Sequence, residues 1–172
     1  MNRRTAIAVT TVALSGAALS AGAAVAQQRS LKEQLVGIWT ALSAETTGPN
    51  GARQQFYGAP AKGILILDAG GIYAQVLARP GRPKFKSIDR FSLDATPEEL
   101  KVAVTGTVAT FGTWSVSEAD KTISRRPEAS LLPNDEGIEQ KYSVSLAGDE
   151  LKTISVNSVT GVKAETVYRR AR

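Results

Sequence analysis

Apolar and polar positions alternate with a period of two residues in several stretches of the chain. The alternation is clearest between residues 138 and 146, where charged and hydroxyl side chains occupy every second position. The opposite phase holds Ile138, Gln140, Tyr142, Val144 and Leu146. Such a pattern predicts a β-strand with one face against a core.

Turn-forming clusters such as Asn50-Gly51 and Gly70-Gly71 separate most of the strand-like stretches. The predicted strands cover residues 37–46, 62–68, 72–79, 110–117, 121–126, 138–146, 151–157 and 162–170. Strands at this spacing are typical of a sandwich or an up-and-down barrel, and connections between next neighbours favour the barrel. The predicted fold class is therefore all-β and antiparallel. Residues 127–137 are expected to be irregular.

One short helix is predicted within this series of strands, at residues 97–105. Thr96 can cap it, a proline occupies its first position, and Glu99 completes a capping box. Leu100 and Val104 would share one face of the helix at i, i+4 spacing. We expect that face to cover one end of the barrel.

The first residues have the composition of an export signal. Arg3 and Arg4 are followed by an apolar run, and Ala24-Val25-Ala26 is a cleavage site of the A-x-A type. The arginine pair also admits the twin-arginine route, but the flanking residues favour the general secretory route. The protein is therefore predicted to be periplasmic or secreted. The predicted organisation is a signal peptide at 1–26, a short helical lead-in at 27–34 and the barrel domain at 35–172.

Composition excludes several kinds of chemistry. The chain has no Cys and no His, and its one Met is the initiator. Zinc sites built on His or Cys and catalytic arrangements that depend on His are therefore excluded, and we expect no cofactor. The net charge of +5 is mild, so no nucleic-acid partner is indicated. No stable membrane insertion is expected after signal cleavage, and the sequence does not indicate an oligomeric state.

Several segments resemble the bacterial and fungal lipocalin-like domain family. Gly37-Ile38-Trp39 has the Gly-x-Trp form of the lipocalin signature, and Arg79–Phe85, which reads Arg-Pro-Gly-Arg-Pro-Lys-Phe, is the most distinctive piece. The likeness also includes residues 62–66, 111–116 and 167–170. The resemblance implies a barrel of about 8–10 strands but no single activity. Relatives often have a His in the strand where this chain has Arg125 and Arg126, so a role that depends on that His is absent here.

The lipocalin resemblance also implies an arginine from near the last strand over the Trp39 indole, and strand parity favours Arg170. If Trp39 points inward, the same alternation directs Ala41, Ser43 and Glu45 inward. If Tyr73 points inward, it is joined by Gln75, Leu77 and Arg79. Glu45 and Arg79 would then either reach solvent at strand ends or form a polar pair at the barrel mouth.

The segment from Arg79 to Phe91 combines cations with two phenylalanines. It is either a solvated loop whose phenylalanines fold back to the core or a lid that presents cations to a carboxylate or phosphate. The candidate ligand-binding residues are Glu45, Tyr73, Gln75, Arg79, Arg82, Lys84 and Phe85.

Three classes of function fit these features. The favoured one is an exported protein that binds a small hydrophobic or amphipathic anionic ligand in the barrel. The second is a cofactor-independent isomerase or cyclase that uses Glu45, Tyr73 and Arg79 for proton transfer and charge stabilisation. The third is a filled barrel that acts as an envelope interaction module. A cavity large enough for a ligand would separate the third class from the other two.

Overall fold

The computed structural model describes residues 29–86, 89 and 94–172. Its strands form one β-barrel. The predicted export signal at 1–26 lies outside these residues, as does Phe91 of the predicted lid. Each long strand pairs antiparallel with the next long strand in the chain, and the last pairs with the first, which closes the sheet. The predicted antiparallel barrel is therefore confirmed.

Eight long strands and one short strand make up the sheet. They are β1 (Gly37–Thr47), β2 (Arg53–Gln54), β3 (Lys62–Leu67), β4 (Ile72–Ala78), β5 (Thr107–Ser117), β6 (Thr122–Ser130), β7 (Gln140–Ala147), β8 (Glu150–Val156) and β9 (Lys163–Arg170). The helices are α1 (Leu31–Leu35) and α2 (Pro97–Thr105), with a 3-10 turn at Pro133–Asp135. The two-residue β2, which pairs with the end of β1, was not predicted.

Helix α2 has the predicted bounds and the predicted capping box. The Thr96 hydroxyl accepts a bond of 3.2 Å from the Glu99 amide, and the Glu99 carboxylate accepts one of 2.8 Å from the Thr96 amide. No residue of α2 is buried, however, and Leu100 and Val104 stay 43% and 37% exposed. The helix therefore lies beside the barrel end, between β4 and β5, and does not plug it.

Strand β6 is longer than predicted, because the expected irregular segment begins after Ser130 and not at Pro127. Pro127 has no amide hydrogen to donate, but it lies beyond the stretch of β6 that pairs with β7, where no strand needs that donor. On its other side the pairing to β5 shifts next to Gly112. A Cβ on Gly112 would lie 2.1 Å from the Arg126 carbonyl oxygen, so glycine permits this close approach.

A register shift in β1 changes which residues face the interior. The pairing to β9 is irregular between Ala41 and Ser43, so that Leu42 is the extra residue. Ala44, which is 4% exposed, then takes the inward phase. The inward parity expected for Ser43 and Glu45 is therefore wrong, because parity counting cannot anticipate a bulge.

The closed end of the barrel, called the base here, is built around Trp39. Its indole nitrogen donates to the Leu35 carbonyl at 2.8 Å, and this hydrogen bond connects α1 directly to the base. The Arg170 guanidinium lies 4.2 Å from the Trp39 ring centre, as predicted. Arg170 also donates to the Val36 and Gln34 carbonyls at 3.0 and 2.6 Å. The other Gly-x-Trp residue, Trp114, donates to the Asp68 carbonyl at 2.9 Å on the same level.

Candidate ligand-binding site

The half of the barrel away from the base contains a cavity of about 280 Å³. One part of its wall is apolar and aromatic, formed by Ala44, Tyr57, Leu77, Val108, Tyr142 and Ala164. The polar part includes Gln75, Thr110, Arg125, Asp135, Thr153 and Thr166. An apolar chamber with a few converging polar groups is the usual form of a small-molecule site. Such a cavity favours the two cavity-based functions over a filled barrel.

Among the described residues of the cavity wall, Arg125 is the one positively charged side chain, and it is only 2% exposed. It lies on the inward phase of β6, next to the exposed Arg126. Its guanidinium carbon is 3.6 Å from the Tyr142 ring centre and 5.3 Å from that of Tyr73. Stacking on aromatic faces holds the planar cation in place at the side of the cavity.

The guanidinium has few hydrogen-bond partners for so deep a position. One terminal nitrogen donates to the Gln75 side-chain oxygen at 2.7 Å, whereas Nε has no partner within the part of the chain that the structure describes. Among the described residues, no carboxylate forms a salt bridge with Arg125. A buried cation is usually paired, so this guanidinium in the cavity wall has bonding capacity that the described residues leave unused.

Gln75 continues the polar network away from Arg125. Its amide nitrogen donates to the Tyr168 hydroxyl at 2.8 Å, and Tyr168 is fully buried. Burial raises the pKa of the Tyr168 hydroxyl, and the nearby Arg125 charge opposes that rise. Burial likewise raises the pKa of Tyr73, whose hydroxyl lies 3.0 Å from the Thr110 hydroxyl. Both phenols are therefore neutral at ordinary pH and act as hydrogen-bonding groups.

Two acidic residues border the same cavity. Asp135 follows β6 in the 3-10 turn, and its carboxylate is 3.5 Å from the Ser130 hydroxyl. Glu45 also borders the cavity, but its side chain has the outward phase and its carboxylate forms a salt bridge of 3.7 Å with the exposed Arg53. The cavity wall therefore combines the cation Arg125 with the acidic Asp135 after strand β6.

The predicted site residues separate into two groups. Tyr73 and Gln75 lie inside with Arg125, as their parity predicted. The Arg79 guanidinium instead stacks 4.4 Å from the Phe56 ring centre, next to the cavity-lining Tyr57, and Arg79 is not in the wall of this cavity. Arg82 donates to the Thr107 hydroxyl. Lys84 is exposed and Phe85 half-buried, and neither lines the cavity that contains Arg125.

The sequence model of the lipocalin-like domain matches residues 36–172. The chain belongs to this family. No curated protein matches it in sequence. Among solved structures, secretory abundant heat soluble protein 4 from Ramazzottius varieornatus is 14% identical, with a TM-score of 0.37 over 80% of this chain and 94% of that one. Two mutants of the fluorescent protein UnaG are 14% and 15% identical, with TM-scores of 0.38 and 0.35; each match covers 81% of this chain and 98% or 97% of the other.

In this lipocalin-like chain, Arg125 was noted only because it occupies a strand where relatives have His. The alternation in β6 carried the missing signal, because Ile123, Arg125 and Pro127 share the buried phase. The predicted irregular segment at 127–137 ends the predicted strand before Pro127, so the shared phase of these three residues is not apparent from the predicted strand.

No helix among the described residues is long and apolar enough to cross a membrane.

Proposed function

We propose that this lipocalin-like protein is exported and binds one small amphipathic anion inside the barrel, with the anionic group against Arg125. The observation that supports this most strongly is the buried Arg125 guanidinium, which has an unpartnered Nε and no salt bridge among the described residues. A carboxylate in the cavity would supply the missing partner through a charge-assisted hydrogen bond. The export signal predicted from the first 26 residues supports the periplasmic or secreted location.

The wall composition and the volume restrict the ligand further. About 280 Å³ is just below the usual range of about 300–1,000 Å³ for small-molecule pockets, so the ligand is small. Leu77, Val108 and the Tyr57 ring would contact an apolar body. Asp135 would repel a second anionic group. A monoanion with a compact apolar body, such as a medium-chain fatty acid or an isoprenoid or polyketide acid of similar size, fits best.

In this proposal the anion contacts Arg125 and not Arg79, which is one of the candidate ligand-binding residues from the sequence. Arg79 is already stacked on Phe56, and the adjacent Tyr57 lines the cavity. Arg79 therefore acts as a positioning residue for the Phe56–Tyr57 segment. Arg82, Lys84 and Phe85 are proposed to form the rim of the barrel mouth, outside the Phe56–Tyr57 segment.

Calorimetric titration with decanoate and with decanol tests the proposal, because the two probes differ only in charge and in one polar group. Arg125→Met should weaken decanoate binding at least about tenfold, or about 1.4 kcal/mol, and leave decanol binding nearly unchanged. Arg126→Gln is the matched control, since it removes the neighbouring charge that points outward. An equal loss of affinity for both probes would show that Arg125 supports the wall and does not contact the anion.

The location has its own test. Mass spectrometry of the protein from fractionated cells should find a chain that begins at Gln27 in the periplasm or the medium. An uncleaved chain in the cytoplasm would contradict the proposed export and would leave the test of ligand binding unaffected.

A further inference from the structure

Part of the outer surface of strands β1, β3, β4 and β5 is an apolar face, and the two rows of paired residues that form it contain no charged residue. Cross-strand pairing places Ile38, Ile66, Ala74 and Phe111 in one row, and Thr40, Ile64, Val76 and Ala109 in the next. The face has six large apolar residues, of which five stand in the two rows and the sixth is Ile72 on β4. Each of the six is 36–50% exposed. A contiguous apolar area of this kind on a folded protein usually marks an interaction site.

The opposite outer surface shows that such exposure is not a general property of this barrel. Strands β7 to β9 place charged residues on their outward phase, and Glu165 there forms salt bridges with Lys152 and Lys163 at 3.0 and 3.2 Å. One side of the barrel is thus suited to water and the other is not.

We propose that the apolar face binds a second copy of this chain in a two-fold symmetric dimer. The argument begins with the outward phase of β3, which reads Lys62, Ile64, Ile66 and then Asp68 just after the strand. The Asp68 amide still donates to the Ile72 carbonyl at 2.8 Å, so the alternation continues to that residue. Among the described residues, Lys62 and Asp68 form no salt bridge.

This strip of β3 is complementary to itself when two copies run antiparallel. A two-fold axis through the middle of β3 places Lys62 of each copy against Asp68 of the other, and Ile64 against Ile66. Two ion pairs then flank an apolar centre, which is the usual arrangement of a protein interface. No other charged residue lies on the outward phase of the paired rows between these ends.

The size of the face indicates a dimer of moderate strength. From Lys62 to Asp68 the strip extends about 20 Å, and four strands with their side chains span about 19 Å, which gives roughly 400 Å² per copy. A standard interface buries about 800 Å² per partner, so the apolar face alone supplies about half. The dimer should therefore dissociate on dilution, and the two pairs of opposite charge should contribute measurably to its stability.

Sedimentation equilibrium over micromolar to millimolar concentrations tests this with the protein purified in the form its own cell produces. Wild type should show a reversible monomer–dimer equilibrium. Lys62→Asp alone and Asp68→Lys alone should each weaken dimerisation at least about tenfold, because each places like charges in contact. The double variant should recover most of the loss, since it restores both pairs with reversed sign. Lys141→Asp, an equal charge change on β7, should have no effect.

Ile66→Lys provides a second variant and should abolish the dimer while hardly changing the melting temperature, because Ile66 points outward. Val156→Lys on β8 is its matched control. A wild type that stays monomeric throughout would overturn the proposal. So would a dimer that is unchanged in both single charge reversals, or a monomer that binds vesicles of phosphatidylglycerol and phosphatidylcholine through Ile66, since that outcome assigns the face to a lipid surface.

Discussion

The two ends of the barrel each contain an arginine stacked on an aromatic ring. These two arginines differ in their hydrogen-bond and salt-bridge partners. At the base, Arg170 covers Trp39, donates to two carbonyls and forms a salt bridge of 3.6 Å with Asp149. In the cavity, Arg125 stacks on Tyr142 and donates to one side-chain oxygen, and its Nε has no partner in residues 29–86, 89 and 94–172.

The two arginines therefore contribute differently to the stability of the barrel and to its proposed function. The partners of Arg170 come from the chain itself, so its charge strengthens the fold whether or not a ligand is present. Arg125 is the more deeply buried of the two and yet has fewer partners among the described residues, so under the proposed function part of its interaction energy becomes available only with a ligand. Functional sites commonly retain groups of this kind at some cost to stability.

The strongest test of the comparison removes the aromatic ring at the base. Trp39→Ala should lower the free energy of unfolding by about 3–5 kcal/mol, because it removes a fully buried ring and the surface that Arg170 covers. Urea denaturation followed by circular dichroism measures this. Tyr142→Ala, at the half-buried ring under Arg125, should cost clearly less stability but weaken decanoate binding. Equal losses of stability would remove the distinction between the two ends.

The two arginines themselves give the second test. Arg170→Met should cost about 1–3 kcal/mol of stability, since the Val36 and Gln34 carbonyls lose their donor and the stacking is lost. Arg125→Met should stay within about 1 kcal/mol of wild type, because it also removes an incompletely paired buried charge. Thermal melts without ligand compare them. A larger loss of stability for Arg125→Met than for Arg170→Met would reverse the assignment of roles.

Tyr168 lies between the two ends and gives a test that depends on pH. Its pKa is raised by burial, so the native state keeps the phenol proton more tightly than the unfolded state, in which a tyrosine has a pKa of about 10. The contribution of neutral Tyr168 to the free energy of unfolding is fully present below about pH 10. It is lost as the pH rises through the native pKa. Tyr168→Phe should make the alkaline decline in urea midpoint shallower. An unchanged decline would assign the effect to other tyrosines, such as Tyr73.

The smallest expected effect concerns the second tryptophan of the base. The Lys32 ammonium lies 5.8 Å from the Trp114 ring centre and is exposed to solvent. Lys32→Met should change stability by only about 0.5 kcal/mol, because water competes for the cation. A change as large as that of Arg170→Met would show that exposed and half-buried cations contribute equally at this end.

Local sequence determined much of the framework. Thr96 and Glu99 fixed the start of α2 because capping is a contact between residues close in the chain. The alternation and the turn glycines placed the long strands. The arginine that covers Trp39 was implied by the lipocalin resemblance, and strand parity favoured Arg170. Tyr73 and Gln75 were placed inside because no bulge interrupts β4.

Tertiary structure decided the features that depend on strand pairing. The extra residue Leu42 in β1, which moves Glu45 to the outward phase, appears only when β1 is paired with β9. The continuation of β6 through Pro127 depends on Gly112 in the neighbouring strand. The position of Arg125 against Gln75 joins residues 50 positions apart in the chain. Whether a described carboxylate pairs with Arg125 is likewise decided by the closed barrel, and none does. A single sequence contains no local signal for such contacts, because they arise from the closure of the sheet.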